Sequence, residues 1–252
     1  MAKSLSVLFA GETWSIHTTE VKGFDQFTVS SYGEGIEYIQ KAVRSNGHQF
    51  THIASHRIPF DFPDTLSELR KYDVVLVSDV GANTFLLHPD TFFHSIPTAN
   101  KLQLIHDFVR EGGGFGMIGG YLTFQGIEAK GKYKDTVIEK ILPVKLLNGD
   151  DRVEMPEGSR ITIDPDAHPI LNGFPEVWPP IFGYNRLKAK PDASVLVEFE
   201  GDPIITLGSY GKGRTLAYAT DCAPHWSPKE FCEWDYYRVL WGRLLEWLAG
   251  SG

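Results

Sequence analysis

A short apolar run, Val74-Val75-Leu76-Val77, constrains the fold of this chain more than any other segment. It lies in a predicted strand at residues 72–78 and contains no polar residue. A strand with one solvent-exposed face would instead alternate apolar and polar residues. Such a run is typical of a strand covered on both faces by helices. At 252 residues, 42% of them hydrophobic, the chain can bury a core of that kind.

The segments on either side of this run repeat a strand–helix alternation. Strands are predicted at 5–10, 48–55 and 115–118, and helices at 35–46, around Leu66 and Leu69, and at 100–111. Beyond residue 144, Pro and Gly separate short strands at 160–163, 194–199, 204–207 and 214–220, and an aromatic helix closes the chain. The pattern predicts an α/β fold with a doubly wound, mostly parallel sheet and added antiparallel strands in the C-terminal half. We expect one domain over residues 1–252.

The polar stretch at residues 13–31 fits neither kind of element. A connection of this length inside a compact domain usually has a function or hides a short element, and we interpret it in that way.

Charge and composition exclude several classes of partner. The formal net charge is −8, which argues against a nucleic-acid or anionic-membrane partner. No segment has the uninterrupted apolar length of a membrane span or the core of a signal peptide, and two cysteines are too few for a disulfide framework. These features predict a cytoplasmic protein.

A glycine-rich turn follows the strand predicted at 115–118. The preceding helix stops at Gly112-Gly113-Gly114, and the strand ends in Gly119-Gly120-Tyr121. Hydrolases of the nucleophile-elbow type carry Ser or Cys at the apex of such a turn. Here the apex is glycine. A phosphate-binding loop is also excluded, because residues 112–114 follow a helix and precede a strand.

The order of these fragments resembles the class I glutamine amidotransferase-like superfamily, and within it a group of bacterial cytoplasmic proteins related to trehalose-utilisation-type domains. The likeness rests on six fragments: residues 11–14, 77–84, 112–121, 168–170, 210–214 and 221–226. It spans nearly all of the chain and implies a flavodoxin-like fold.

The resemblance also shows what is missing for glutaminase chemistry. Active members use an elbow Cys, a His in the loop before the last helix, and an acidic residue two positions after that His. His225 occupies the loop, but Ser227 stands where the acid is expected and the elbow Cys is absent. Tyr121 is a poor substitute, because an unperturbed phenol has a pKa of about 10. Glutaminase activity is therefore not expected.

Ligands of open α/β sheets bind outside the carboxyl ends of the strands, so residues that follow predicted strands are the candidates for a crevice. We expect the crevice to be formed by Glu12, Trp14, Asp79, Gly119, Gly120, Tyr121, Asp221, His225 and Trp226. The aromatic residues of this set would line the binding site of a small ligand. The resemblance makes a carbohydrate a ligand worth testing. Equally, the carboxylates could tie loops together, and the rings could contact a second subunit.

Catalytic candidates are His225, Asp221 and Cys222. A Cys222–His225 pair could form a nucleophile if the two side chains met, but a small buried thiol is the more common use of such a residue. Asp221 and His225 could bind a metal with Glu12 or Asp79, although the spacing selects no metal. No motif predicts a cofactor.

Three hypotheses follow. The first is a catalytically degenerate amidotransferase-like domain that binds a small molecule or a partner and forms a homo-oligomer. The alternative is a hydrolase or isomerase that uses Asp221 and His225 with Glu12 or Asp79. The third is a structural subunit whose aromatic C-terminal helix docks on a second copy.

Overall fold

The computed structural model describes residues 4–250. Its strands are β1 (Ser6–Gly11), β2 (Thr13–Lys22), β3 (Asp25–Glu34), β4 (Gln49–Ile53), β5 (Val74–Ser78), β6 (Gly114–Ile118), β7 (Val144–Lys145), β8 (Arg152–Thr162), β9 (Val177–Asn185), β10 (Lys188–Ala189), β11 (Ser194–Phe199), β12 (Asp202–Tyr210) and β13 (Gly213–Tyr218). Its α-helices are α1 (Glu37–Ser45), α2 (Ile58–Asp61), α3 (Leu66–Leu69), α4 (Ala82–Leu86), α5 (Pro89–His94), α6 (Lys101–Arg110), α7 (Val137–Ile141), α8 (Lys229–Cys232) and α9 (Asp235–Leu248).

Seven strands form the central sheet of the described residues, in the order β11-β12-β13-β6-β5-β1-β4. The five strands from β4 to β13 run parallel, and β12 and β11 continue the sheet antiparallel. The predicted fold class is confirmed: the chain has a flavodoxin-like, mostly parallel sheet with antiparallel strands added from its C-terminal half.

The central position of β5 explains its uniformly apolar sequence. It pairs with β1 on one side and β6 on the other, and all five of its residues are buried. Helices α1 and α9 pack together on one face of the sheet, while α6 packs with α3, α4 and α7. Right-handed crossovers from β1 to β4 and from β5 to β6 run in opposite directions along the sheet, which puts α1 and α6 on opposite faces.

The C-terminal helix α9 does not offer an aromatic docking surface, contrary to the third hypothesis. Tyr237 and Trp241 are buried, and Trp241 lies against Tyr218 of β13 with ring centroids 5.0 Å apart. Because α9 is covered by α1 and the sheet, Tyr237 and Trp241 belong to the core, and the half-buried Tyr236 and Trp247 pack against it.

The stretch at residues 13–31, interpreted as a loop or short element, is most of a long β-hairpin. Strands β2 and β3 pair antiparallel over their full length, from Thr13 opposite Glu34 to Lys22 opposite Asp25. We call residues 13–34 the arm. Beyond Thr13 at its base, nearly every side chain of the arm is exposed, so the arm adds almost nothing to the hydrophobic core.

A second antiparallel ribbon, β8 with β9, lies beside the carboxyl edge of the central sheet. The Asn185 N–H at the end of β9 donates to the Ala219 carbonyl, 2.8 Å away, just after β13. The ribbon therefore adds side chains to the edge where a flavodoxin-like fold carries its site.

No helix among residues 4–250 is long and apolar enough to cross a membrane.

Candidate functional site

The carboxyl ends of four adjacent strands meet at one edge of the sheet, as the sequence predicted. Glu12 follows β1, Asp79 follows β5, Gly119 and Gly120 follow β6, and Asp221 lies three residues after β13. Glu12 and Asp79 have φ angles of 56° and 41°, in the left-handed region that non-glycine residues rarely adopt. Such strain clusters at functional sites and persists only where the surrounding structure enforces it.

Glu12 is a buried acid at the floor of the crevice, with 3% of its surface exposed. Its Oε2 accepts a hydrogen bond of 2.5 Å from the Ser78 hydroxyl and lies 4.0 Å from the Cys222 sulfur. Burial raises the pKa of Glu12 well above its usual range, the nearby Asp221 and Asp79 carboxylates raise it further, and the Ser78 hydrogen bond opposes them. The surroundings of this side chain therefore favour its protonated form.

Asp79 and Asp221 are fixed by backbone donors on either side of the crevice. Asp79 Oδ1 accepts from the Leu122 N–H at 2.8 Å, and Asp221 Oδ1 accepts from the Ala223 N–H at 3.1 Å. Burial raises the pKa of both carboxyls, and Asp221 raises that of Asp79 further. The crevice therefore concentrates negative charge, which favours a bound proton or cation.

His225 completes an acid–imidazole pair at the mouth of the crevice. Its Nδ1 lies 3.3 Å from Asp221 Oδ2. The bond to Asp221 raises the pKa of His225, while partial burial acts in the opposite direction. Because 43% of the His225 side chain is exposed and Nδ1 faces the protein, Nε2 is the nitrogen available to a ligand.

Aromatic rings pack around His225 at the same mouth. Tyr121 is partly exposed there, but Trp226, which the sequence predicted as a wall of the crevice, is buried. The Tyr121 ring lies edge-on to His225 at 4.8 Å between centroids, and Trp226 stacks on His225 at 5.3 Å. Glu154, on β8, accepts from the Tyr121 hydroxyl at 2.9 Å and from the Trp226 indole N–H at 3.0 Å. Arg152 lies over the Tyr121 ring at 4.6 Å. A ligand here meets apolar ring faces beside charged and hydrogen-bonding groups.

The elbow itself has no room for a side chain. Gly120 has a φ of 155°, and a Cβ built there would lie 2.8 Å from Asp79 Oδ1. A Cβ on Gly119 would collide with the Ala219 carbonyl oxygen. Neighbouring atoms of Asp79 and Ala219 therefore occupy the space that a nucleophile's first carbon would need.

A buried network holds the loop after the elbow. The carboxylate of Asp151 accepts from the N–H groups of Gln125 and Gly126 and from the Asn185 amide, at 2.8 to 2.9 Å. Asn185 in turn binds the Gly120 N–H and carbonyl. The loop conformation is thereby tied to the β8–β9 ribbon.

Two other predicted site residues, Cys222 and Trp14, do not take the roles that the sequence suggested. The Cys222 sulfur lies 3.7 Å from the Ser78 hydroxyl and beside Glu12, and burial raises its pKa well above the ordinary value. This argues against an activated Cys222–His225 nucleophile. Trp14 is not part of the aromatic cluster, since it lies on β2 against Gly33 of the arm.

One group of side chains among the described residues has the geometry of a small cation site. Single ligand atoms of Glu12, Asp221 and Cys222 lie within 4.8 Å of one another, and all three side chains are buried. Two carboxylates and a thiol suit zinc or another divalent transition metal. His225 faces this group only through Asp221.

Sequence reasoning missed Ser78, Arg152, Glu154, Asp151 and Asn185. Ser78 is the last residue of the strongest predicted strand, so its place beside Glu12 could have been inferred from strand order. The other four come from the β8–β9 ribbon and the segment leading into it, and no local pattern links them to the edge of the sheet.

Comparison with known proteins agrees with this architecture. A family model described as "Putative glutamine amidotransferase" matches residues 6–250. No curated protein sequence matches the chain at a significant level.

Two similar solved structures come from Salmonella typhimurium. "Cytoplasmic Protein STM3548" is 42% identical over 96% of this chain and 98% of its own, with a TM-score of 0.92. "Cytoplasmic Protein STM1381", from strain LT2, is 43% identical over 97% and 99%, with a TM-score of 0.93. The beta-galactosidase of Bacillus circulans sp. alkalophilus shares the fold alone, at 16% identity over 85% of this chain and 27% of its own, with a TM-score of 0.50.

Proposed function

The chain belongs to the glutamine amidotransferase-like family, and we propose that it is a member without glutaminase chemistry that binds a small molecule at the carboxyl edge of its sheet. The absence of space at Gly119 and Gly120 supports this proposal most directly. A thioester route from glutamine to ammonia needs a thiolate at the elbow. The Cys222 thiol is buried and packed against Glu12, and burial raises its pKa well above the ordinary value.

A glutaminase assay tests the loss of chemistry. Purified protein incubated with glutamine should release no more ammonia than the Cys222→Ser variant or a blank. The proposal fails if the wild type releases ammonia and a single substitution in the crevice abolishes the release.

The mouth of the crevice suggests the chemistry of the ligand. The partly exposed Tyr121 ring supplies an apolar face, while His225 Nε2, Arg152 and Glu154 supply polar groups beside it. Trp226 is buried behind them and contacts them without meeting the ligand. Rings beside charged edges suit a polyhydroxylated molecule, whose C–H faces stack while its hydroxyls form hydrogen bonds. The resemblance to trehalose-utilisation-type domains points to the same class, so we propose a carbohydrate. The similar Salmonella proteins are named cytoplasmic, and we propose a cytoplasmic location for this chain as well.

Calorimetric titration with a panel of mono- and disaccharides tests the ligand class. We expect binding by the wild type and at least tenfold weaker binding by Tyr121→Ala and His225→Ala. His94→Ala, an exposed histidine on α5, is the matched control and should bind as the wild type does. If no sugar binds, or if His94→Ala weakens binding as much as His225→Ala, the carbohydrate proposal is wrong.

A metal-assisted hydrolase or isomerase is the second candidate, because Glu12, Asp221 and Cys222 converge. In this case a cation would displace the protons of Glu12 and Cys222, and the His225–Asp221 pair would move a proton at the substrate. Zinc titration should then release protons and be abolished by Glu12→Gln. Glu198→Gln, an exposed acid on β11, should leave zinc binding unchanged. Absence of zinc binding to the wild type would exclude this candidate for zinc.

A further inference from the structure

The arm exposes more apolar surface than a free ribbon can keep in water. An isolated two-stranded hairpin is at best marginally stable, and within residues 4–250 no third strand pairs with the arm. Large exposed side chains nevertheless run along it: Trp14, Ile16, Val21, Phe24, Phe27, Val29 and Tyr32. Their exposed fractions range from 42% for Trp14 to 109% for Phe24. An exposed apolar surface of this kind is typical of an interaction site.

The two faces of the arm differ. Side chains alternate between faces along each strand, and opposed residues share a face, as Thr18 and Val29 do. One face therefore carries Trp14, Ile16, Thr18, Phe27 and Val29, and we call it the apolar face. Toward the tip, the same face also carries Glu20, Lys22 and Asp25. The other face, which we call the polar face, carries Tyr32 and Val21 among polar residues. Side-chain hydrogen bonds join His17 to Ser30 and Thr19 to Thr28 on this face.

The base of the arm fixes which face is free. The Thr13 hydroxyl is hydrogen-bonded to Ser55, and the Tyr32 ring lies edge-on to His56 at 5.7 Å. Thr13 and Tyr32 belong to the polar face, so this face is the one turned toward the body of the domain at the base. The apolar face accordingly points away from the rest of the chain.

We propose that the apolar face is a homodimer interface, covered by the same face of a second copy. Two ribbons packed face to face about a twofold axis would bring like side chains together in a small β-sandwich. With about 150 to 250 Å² per fully exposed aromatic side chain, the apolar side chains of this face and of Phe24 at the tip expose on the order of 600 Å². That is close to the roughly 800 Å² that each partner contributes to a standard interface.

Charge favours a second copy over an oppositely charged partner. The chain has a net charge of −8, so two copies repel across most of their surfaces. Residues 14–19 and 26–33 contain no Asp, Glu, Lys or Arg. The charged residues of the arm lie at its ends: Glu34 at the base, and Glu20, Lys22 and Asp25 at the tip on the face of Phe27. Lys22 pairs with Glu20 at 3.0 Å. Between its base and its tip the arm is therefore uncharged, so two acidic molecules can meet there with less like-charge repulsion than elsewhere on their surfaces.

Light scattering on the full chain tests this proposal, which does not depend on the proposed ligand. We expect the wild type to be a dimer at micromolar concentration and Val29→Glu to be a monomer, because the substitution buries one charge from each copy. Thr28→Glu is the matched control, since it adds the same charge one residue away on the polar face. It should remain a dimer.

Val29→Glu could misfold, and circular dichroism would detect this. A milder variant keeps the proposal testable in that case. Ile16→Thr combined with Val29→Thr keeps β-branched side chains and introduces no charge. It should raise the dimer dissociation constant at least tenfold. A monomeric wild type would overturn the proposal. So would a dimer that survives both variants, equal dissociation by Thr28→Glu, or a wild-type complex in which another protein covers the arm.

Discussion

At the scale of single residues, the crevice is built on backbone conformations that most side chains avoid. Glu12 and Asp79 both lie in the left-handed region, and each directly follows a buried parallel strand. The Asp79 conformation aims its carboxylate at the Gly120 backbone, where it fills the place of an elbow side chain. One acid after β5 and one glycine after β6 therefore depend on each other.

The first prediction concerns Gly120. Substitution by Ala should destabilise the fold by about 1 to 3 kcal/mol, because its φ of 155° disfavours a side chain and the new Cβ would press on Asp79. Urea unfolding measures the loss. Gly149→Ala is the control, since Gly149 has open space around its Cβ position. Equal stability of Gly120→Ala and wild type would show that the elbow accepts a side chain.

The second prediction follows from the raised pKa of Glu12. The folded state favours the protonated acid, so this group's contribution to stability is complete at pH values below its ordinary pKa. The contribution is then lost as the pH rises toward the higher folded-state pKa. Glu12→Gln resembles the protonated acid and cannot ionise. Its free energy of unfolding should fall less steeply than that of the wild type between acid and neutral pH.

Urea unfolding at a series of pH values measures the two slopes. The exposed Glu198 provides the control, because Glu198→Gln should leave the wild-type slope unchanged. Parallel curves for Glu12→Gln and wild type would contradict a raised pKa of Glu12.

At the scale of elements, the β8–β9 ribbon supports the site from outside the central sheet. Its Asn185 binds both polar groups of the Gly120 backbone, and Asp151, just before β8, holds the N–H groups of Gln125 and Gly126. The elbow loop is thereby fixed through side chains distant in sequence. The positions of Tyr121 and Leu122 at the crevice depend on the same contacts.

The third prediction compares two adjacent acids. Asp151→Ala should cost about 2 to 4 kcal/mol, because it leaves buried N–H donors without an acceptor. Asp150→Ala should cost about 1 kcal/mol or less, since Asp150 is a partly exposed acid paired with Arg152. Chemical denaturation of both variants gives the comparison. Similar losses for the two variants would show that burial at Asp151 does not decide its contribution.

Element prediction from the sequence worked where periodicity was clear and failed where the partner of a strand was not local. Buried runs such as β5 and the amphipathic α6 were predicted within one or two residues. The arm was interpreted as a loop because its side chains are mixed in polarity and face no core. Its alternating β-branched residues and a Gly23-Phe24 turn were the available signal. The ribbon was seen only as a strand at 160–163, because Pro179 and Pro180 interrupt β9.

At the scale of the whole molecule, strand order was enough to bring Glu12, Asp79, Asp221 and His225 to one edge, because parallel strands place their carboxyl ends together. Strand order could not predict which of the residues at this edge are buried and which are exposed. Glu12 and Cys222 proved to be packed against each other below the crevice, while Tyr121 and His225 form its mouth. Which residue of a turn faces inward depends on φ, and a positive φ at an acid has no sequence signal.

The last prediction joins the arm to the stability of the whole molecule. If two copies bury their apolar faces, unfolding also dissociates the dimer, and the melting temperature must rise with protein concentration. We expect this rise for the wild type and for Thr28→Glu, and a constant melting temperature for Val29→Glu. Differential scanning calorimetry over a hundredfold concentration range measures it. The comparison is sharp because both variants add one carboxylate to adjacent positions of β3, on opposite faces of the arm. A melting temperature of the wild type that is independent of concentration would mean that the folded monomer is stable with its arm exposed.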